Sequence, residues 1–75
     1  MPKLKTLSGR EVRGILEAHG FVLVAQKGSH MKMRLENDEG KTIATVPVPD
    51  HKTIQSGTLS SIIRQSGLGR GPFED

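Results

Sequence analysis

Apolar and polar positions along the chain change period several times, and each change marks an element. Val12, Ile15, Leu16 and His19 fall at i, i+3, i+4 and i+7, one stripe on an α-helix. Ser8-Gly9-Arg10-Glu11 precedes the stripe as a capping box, with Ser8 at the N-cap and Glu11 at the third helical position. Gly20 follows as a stop. A helix from about Gly9 to His19 is predicted. Phe21-Val22-Leu23-Val24-Ala25-Gln26 is short and rich in β formers, so it reads as a strand, and Lys27-Gly28-Ser29 as a turn. From His30 to Glu36 alternation is strict. Met31, Met33 and Leu35 share one side, and His30, Lys32, Arg34 and Glu36 the other, as in a half-buried strand. Asn37-Asp38-Glu39-Gly40 reads as a hairpin turn, and Lys41 to Val48 as a third strand. Pro47 and Pro49 cannot donate to a ladder, so this strand ends at an edge or leaves the sheet. A loop covers Asp50 to Ser56. Leu59, Ile62 and Ile63 then form the stripe of a second helix, from about Gly57 to Ser66, with Ser56 as N-cap. Gly67 is its left-handed stop, and Leu68 folds back on the last turn. Residues 69–75 have little to bury and are expected to fray.

The order is α-β-β-β-α. Short connections make the strands an antiparallel meander, and two amphipathic helices need one apolar sheet face. The expected fold class is therefore α+β, with two helices on one face of a three-stranded antiparallel sheet. Double-stranded-RNA-binding domains share this order, although order alone does not fix function. Seventy-five residues make one domain, 1–75, with a small core and marginal stability. A partner covering apolar surface would matter to such a chain. With no cysteine, disulfides, thiol nucleophiles and thiolate zinc sites are excluded, and the cytosol is the expected compartment. The N-terminus is basic but lacks the apolar core of a targeting peptide. The longest apolar run, Phe21 to Ala25, is too short to span a bilayer.

Charge adds a direction to this picture. Residues 1–34 hold seven bases (Lys3, Lys5, Arg10, Arg13, Lys27, Lys32, Arg34) and two acids, a balance of +5. Residues 35–75 hold four bases and six acids, a balance of −2. The asymmetry fits a polyanion partner on one side, or a solubilising surface that is merely lopsided. Phe21 and Phe73 are the only aromatics, so the chain lacks a base-stacking platform. RNA would be held by phosphate and shape.

Strand alternation sets His30, Lys32 and Arg34 on one face, with Lys27 at the adjoining turn. An imidazole among cations is a toolkit for RNA: it takes the proton from a 2′-hydroxyl, and the cations stabilise charge building on the phosphoryl oxygens. No metal is needed, since the substrate supplies the nucleophile. Gly28 would let a phosphate approach the backbone beside Ser29, or it is simply a hairpin glycine. Spacing alone leaves His30 open between a general base and a solvated strand histidine. His19 reads as structural, and ligand spacing supports no metal site of His19, His30 and His51. Phosphate-binding glycine loops, paired carboxylates and nucleophile elbows are absent.

Lys27-Gly28-Ser29-His30 after a short strand, Val46-Pro47 with His51 beyond it, and the run from Gly57-Thr58-Leu59 to Ser66-Gly67-Leu68 resemble the HicA mRNA interferase toxins. The opening Glu11-Val12-Arg13-Gly14-Ile15-Leu16 with Gly20-Phe21 is also similar, and the likeness spans roughly residues 8 to 68. It implies a double-stranded-RNA-binding-like fold and a toxin of a type II toxin–antitoxin pair. It further implies mRNA cleavage without metal or other cofactor, His30 as the catalytic residue, and a HicB antitoxin that binds the toxin and blocks its site. The chain departs from the pattern in Met31-Lys32-Met33, where many relatives have a second histidine or an aromatic. It departs again in Pro47-Val48-Pro49-Asp50-His51, longer than the common Val-Pro-x-His. The leading expectation is an endoribonuclease with His30 as general base and Lys27, Gly28, Ser29, Lys32 and Arg34 holding RNA. The alternatives are a non-catalytic RNA-binding module and a domain whose edge strand pairs with a protein. Lys32 and His51 are both open as the group that protonates the leaving oxygen.

Overall fold

A computed structural model describes residues 4–74 of the chain. Lys3 and Asp75, counted above for charge, lie outside the described residues. The elements are α1 (Gly9–Ala18), β1 (Val22–Lys27), β2 (His30–Glu36), β3 (Thr42–Pro49) and α2 (Ser56–Ser66), followed by a short 3-10 turn, Gly71–Phe73. The strands form one antiparallel sheet in the order β1-β2-β3. This is the expected α+β architecture.

Alternation in β2 works as predicted. Met31 and Met33 are buried with Val48 and Val46 opposite them on β3, and the helices supply Val12, Leu16, Leu59, Ile62 and Ile63 to the same core. Leu35 and Ile15 are half-buried at its margin. Among the described residues no helix covers the opposite sheet face. Two bulges interrupt the ladders, leaving Val24 and Ile43 unpaired; both are exposed.

The capping box is formed on both sides. Ser8 Oγ accepts from the Glu11 N–H at 3.1 Å, and Glu11 Oε1 accepts from the Ser8 N–H at 2.9 Å. Gly67 ends α2 with φ 72°, as expected. At the other end of α2 the expectation is corrected. Ser56 is the first helical residue, Gln55 occupies the N-cap, and no side chain caps the helix. Ser66 is buried because its hydroxyl donates to the Ile63 carbonyl at 2.8 Å and accepts from the Leu68 N–H at 3.2 Å.

The expectation that residues 69–75 have little to bury is also corrected. Phe73 is fully buried in the core, and its 3-10 turn packs against α1. The Lys5 N–H donates to the Phe73 carbonyl at 2.8 Å, and Leu4 bridges to Glu74. A lone aromatic among Gly, Pro and charged residues has no periodicity to announce burial. Leu7 and Ile54, outside any helix or strand, join the core and are linked by the Ile54 N–H donating to the Leu7 carbonyl at 2.7 Å.

Gly9 makes the tightest junction. A Cβ on Gly9 would stand 2.0 Å from the Pro49 carbonyl oxygen and 3.0 Å from the Asp50 Cα. The start of α1 thus lies directly on the end of β3, and the Gly9 N–H donates to the His51 carbonyl at 2.8 Å. Gly14, in the middle of α1, has nothing within 4 Å of a built Cβ. Two alanines therefore have opposite expected effects in urea denaturation. Gly9→Ala lowers stability by about 1–3 kcal/mol, because backbone must move. Gly14→Ala raises it by roughly 0.5–1 kcal/mol, the helix-propensity difference. Phe73→Ala should cost about 3–5 kcal/mol, as for a core aromatic, and a cost near zero would place that ring outside the core.

Candidate functional site

Lys27 and His30 are cross-strand partners joined by the two residues Gly28 and Ser29. Gly28 has φ 60°, and no residue other than glycine has positive φ among the described residues. Positive φ at only the first central position is the signature of a type II′ turn, whose twist suits a two-residue hairpin. No heavy atom lies within 4 Å of a Cβ built on Gly28, so the turn alone accounts for glycine here. The Ser29 carbonyl accepts from the Asp50 N–H, which ties the turn to the end of β3.

On the helix-free face of the sheet, β2 presents His30, Lys32 and Arg34. Lys32 stands opposite Ala25 on β1 and Pro47 on β3, and His30 opposite Lys27 and Pro49. Lys27, His30 and Lys32 share a shallow hollow of about 440 Å³ with Ala25, Thr45 and Pro47. All three are exposed, and the described residues give none of them a salt bridge. The ion pairs that do form lie elsewhere: Arg10–Asp50 and Arg13–Glu17, each at 3.4 Å, and Arg70–Glu74 at 3.2 Å. The cations beside His30 are free to meet an external anion.

Arg34 is less central than its place in the alternation implied. It pairs with Val22 and Thr45, farther along β2, and does not line the His30 hollow. It is half-buried, and its buried Nε has no hydrogen-bond partner among the described residues. His19 caps the end of α1 with Nδ1 2.8 Å from the Ile15 carbonyl, an acceptor, so that nitrogen carries the proton. Among the described residues no group of three or more His, Asp or Glu side chains stands together as a metal cage. No helix among them is long and apolar enough to cross a membrane.

His30 also faces a second hollow, of about 460 Å³, on its other side. There the lining includes His51, Gln55 and Thr58 with Pro47 and Pro49. The sequence had singled out His51 beyond Val46-Pro47, and the two prolines marked a chain turning away from the sheet. The pairing that brings His51 near His30 depends on the bulge at Ile43, which no sequence pattern marks.

The turn geometry carries its own test. Gly28→Ala should fold with a loss of about 1–3 kcal/mol, the cost of holding an L-residue at that positive φ. A synthetic chain with D-alanine at position 28 should recover that loss, since space is open there. Equal stability for the L- and D-alanine chains would show that the turn is not type II′.

A family model described as the HicA toxin of bacterial toxin–antitoxin systems matches residues 9–68, most of the chain. Neither a curated protein nor a solved structure matches it.

Proposed function

The chain belongs to the HicA toxin family of bacterial toxin–antitoxin systems, and on that premise we propose that it is an endoribonuclease that cuts mRNA with His30 as general base. The observation that supports this reading best is the exposed His30 between Lys27 and Lys32, neither of which is paired with an anion among the described residues. An RNA strand laid on the helix-free face brings phosphates to the two ammonium groups. The imidazole of His30 takes the proton from a 2′-hydroxyl. The 2′-oxygen attacks the adjacent phosphorus, the bond from phosphorus to the 5′-oxygen breaks, and a 2′,3′-cyclic phosphate remains. Lys27 and Lys32 stabilise charge on the non-bridging oxygens as it builds.

Gly28 and Ser29 hold the turn that sets Lys27 against His30, and Arg34 engages the strand farther along β2. The nucleophile belongs to the substrate, so no metal or other cofactor is assigned to the step. DNA, lacking the 2′-hydroxyl, is not cut. With few aromatics to stack on, the face reads phosphate spacing more than base identity.

As a toxin of such a pair, the chain has a cognate antitoxin as partner. We assign that antitoxin to the HicB type, blocking the toxin by covering the His30 face. With mRNA as substrate, the working compartment is the cytoplasm.

The test is cleavage of a labelled mRNA in excess EDTA by the wild-type chain and by His30→Ala, with folding checked by circular dichroism. Wild type should cut, and the folded variant should be slower by about 10²–10⁴-fold, the usual worth of a general base. Salt-sensitive RNA binding without cleavage by folded wild type would instead establish a binding module. A folded His30→Ala chain that cuts at the wild-type rate would move the base elsewhere.

A further inference from the structure

Cleavage as written leaves one proton unassigned. The 5′-oxygen departs as an alkoxide unless an acid protonates it as the bond breaks. We propose that His51 is that general acid, an inference that rests on the ribonuclease reading of His30.

Placement is the first argument. His30 and His51 line the same 460 Å³ hollow, and its remaining walls offer no other titratable side chain: Pro47, Pro49, Thr53, Ile54, Gln55 and Thr58. His30 pairs with Pro49 across the ladder, and His51 follows two residues later. Ladder spacing and backbone reach keep the two Cα atoms within about 13 Å. Both residues border the hollow, and its volume is ample for a phosphodiester. In-line displacement needs the base beside the attacking oxygen and the acid beside the leaving oxygen, on opposite sides of phosphorus. Two histidines bordering one hollow can take those two places.

The second argument is anchoring. The His51 backbone is held from outside the site: its carbonyl accepts from the Gly9 N–H at 2.8 Å, and the preceding Asp50 N–H is bound to the Ser29 carbonyl. The Ser29 bond ties the loop to the turn that carries His30. The His51 side chain is exposed, and the described residues give it no hydrogen bond. A fixed backbone with a free ring suits a group that must reach a substrate atom.

The third argument is chemical. Imidazole is the side chain that ordinarily both holds and releases a proton near neutral pH, as an acid in this step requires. Lys32, the other candidate, lines the hollow on the far side of His30 and is absent from the one His51 shares. Its place suits the non-bridging oxygens. The step then balances. The 2′-hydroxyl proton goes to His30, the P–O2′ bond forms, the P–O5′ bond breaks, and the His51 proton goes to the 5′-oxygen. Exchange with water restores both rings.

The experiment uses an RNA cut by the wild-type chain at a mapped position, made with the ordinary linkage and with sulfur replacing the bridging 5′-oxygen. A thiolate leaves without protonation, so the sulfur linkage removes the need for an acid. His51→Ala should cut the ordinary linkage about 10²-fold or more slowly than wild type and recover to near the wild-type rate on the sulfur linkage. His30→Ala should be slow on both. His51→Gln, which keeps the loop's bulk, should behave as His51→Ala, and circular dichroism should show both folded. A wild-type rate for His51→Ala on the ordinary linkage overturns the assignment. So does an equal loss on both linkages, which would mark His51 as a binding or structural residue. If the folded wild-type chain cuts no RNA, so that no position can be mapped, the ribonuclease reading itself falls, an outcome distinct from both.

Discussion

The geometry of the site depends on a missing side chain. Where Gly9 would carry a Cβ, the Pro49 carbonyl already stands, so the first turn of α1 and the last residue of β3 meet backbone to backbone. Three links radiate from that junction: Gly9 to the His51 carbonyl, Asp50 to the Ser29 carbonyl, and Ile54 to the Leu7 carbonyl. Together they fasten the β1–β2 turn, the β3 end and the segment before α1. Each hydrogen bond contributes only about 1 kcal/mol. Their weight lies in determining one path for the chain between Pro49 and Ile54. That path carries His51 to the hollow that His30 lines.

Much of the fold was legible because β2 alternates without exception and α1 carries both halves of its capping box. Those local signals gave the element order, the helix-covered face and the common face of His30 and Lys32. What was not legible is contact without periodicity. Phe73, Leu7 and Ile54 lie outside regular elements, and nothing within a few residues distinguishes them from exposed side chains. The N-cap of α2 was read one residue late because Ser56 has the favoured chemistry, yet Gln55 holds the position and caps nothing. The pairing of β2 with β3 was hidden for another reason. Glu36 faces Thr42, and an unbroken ladder would then set His30 against Val48. The extra residue at Ile43 moves the partner to Pro49 and keeps the apolar residues on one side. His51 reaches its place through that shift.

The two edges of the sheet differ. On β3, Pro47 and Pro49 remove ladder donors at the end nearest His30. On β1 there is no proline, and Val22 and Val24 are exposed. A small core, with thirteen buried apolar side chains among the described residues, leaves little reserve for further cover, so the helix-free face stays open. That openness is what the proposed RNA strand, and the proposed cover by an antitoxin, would both require.

The burial of Phe73 has a consequence for synthesis. A ribosome delivers the chain from its N-terminus, so both helices and all three strands emerge before the ring that completes their packing. The Leu4–Glu74 bridge and the Lys5–Phe73 hydrogen bond join the earliest and latest parts of the described chain. Every residue assigned to the site lies well upstream of position 73, yet the scaffold beneath them closes last. In the nascent toxin this last piece of packing can therefore form only after every residue assigned to the site has been made.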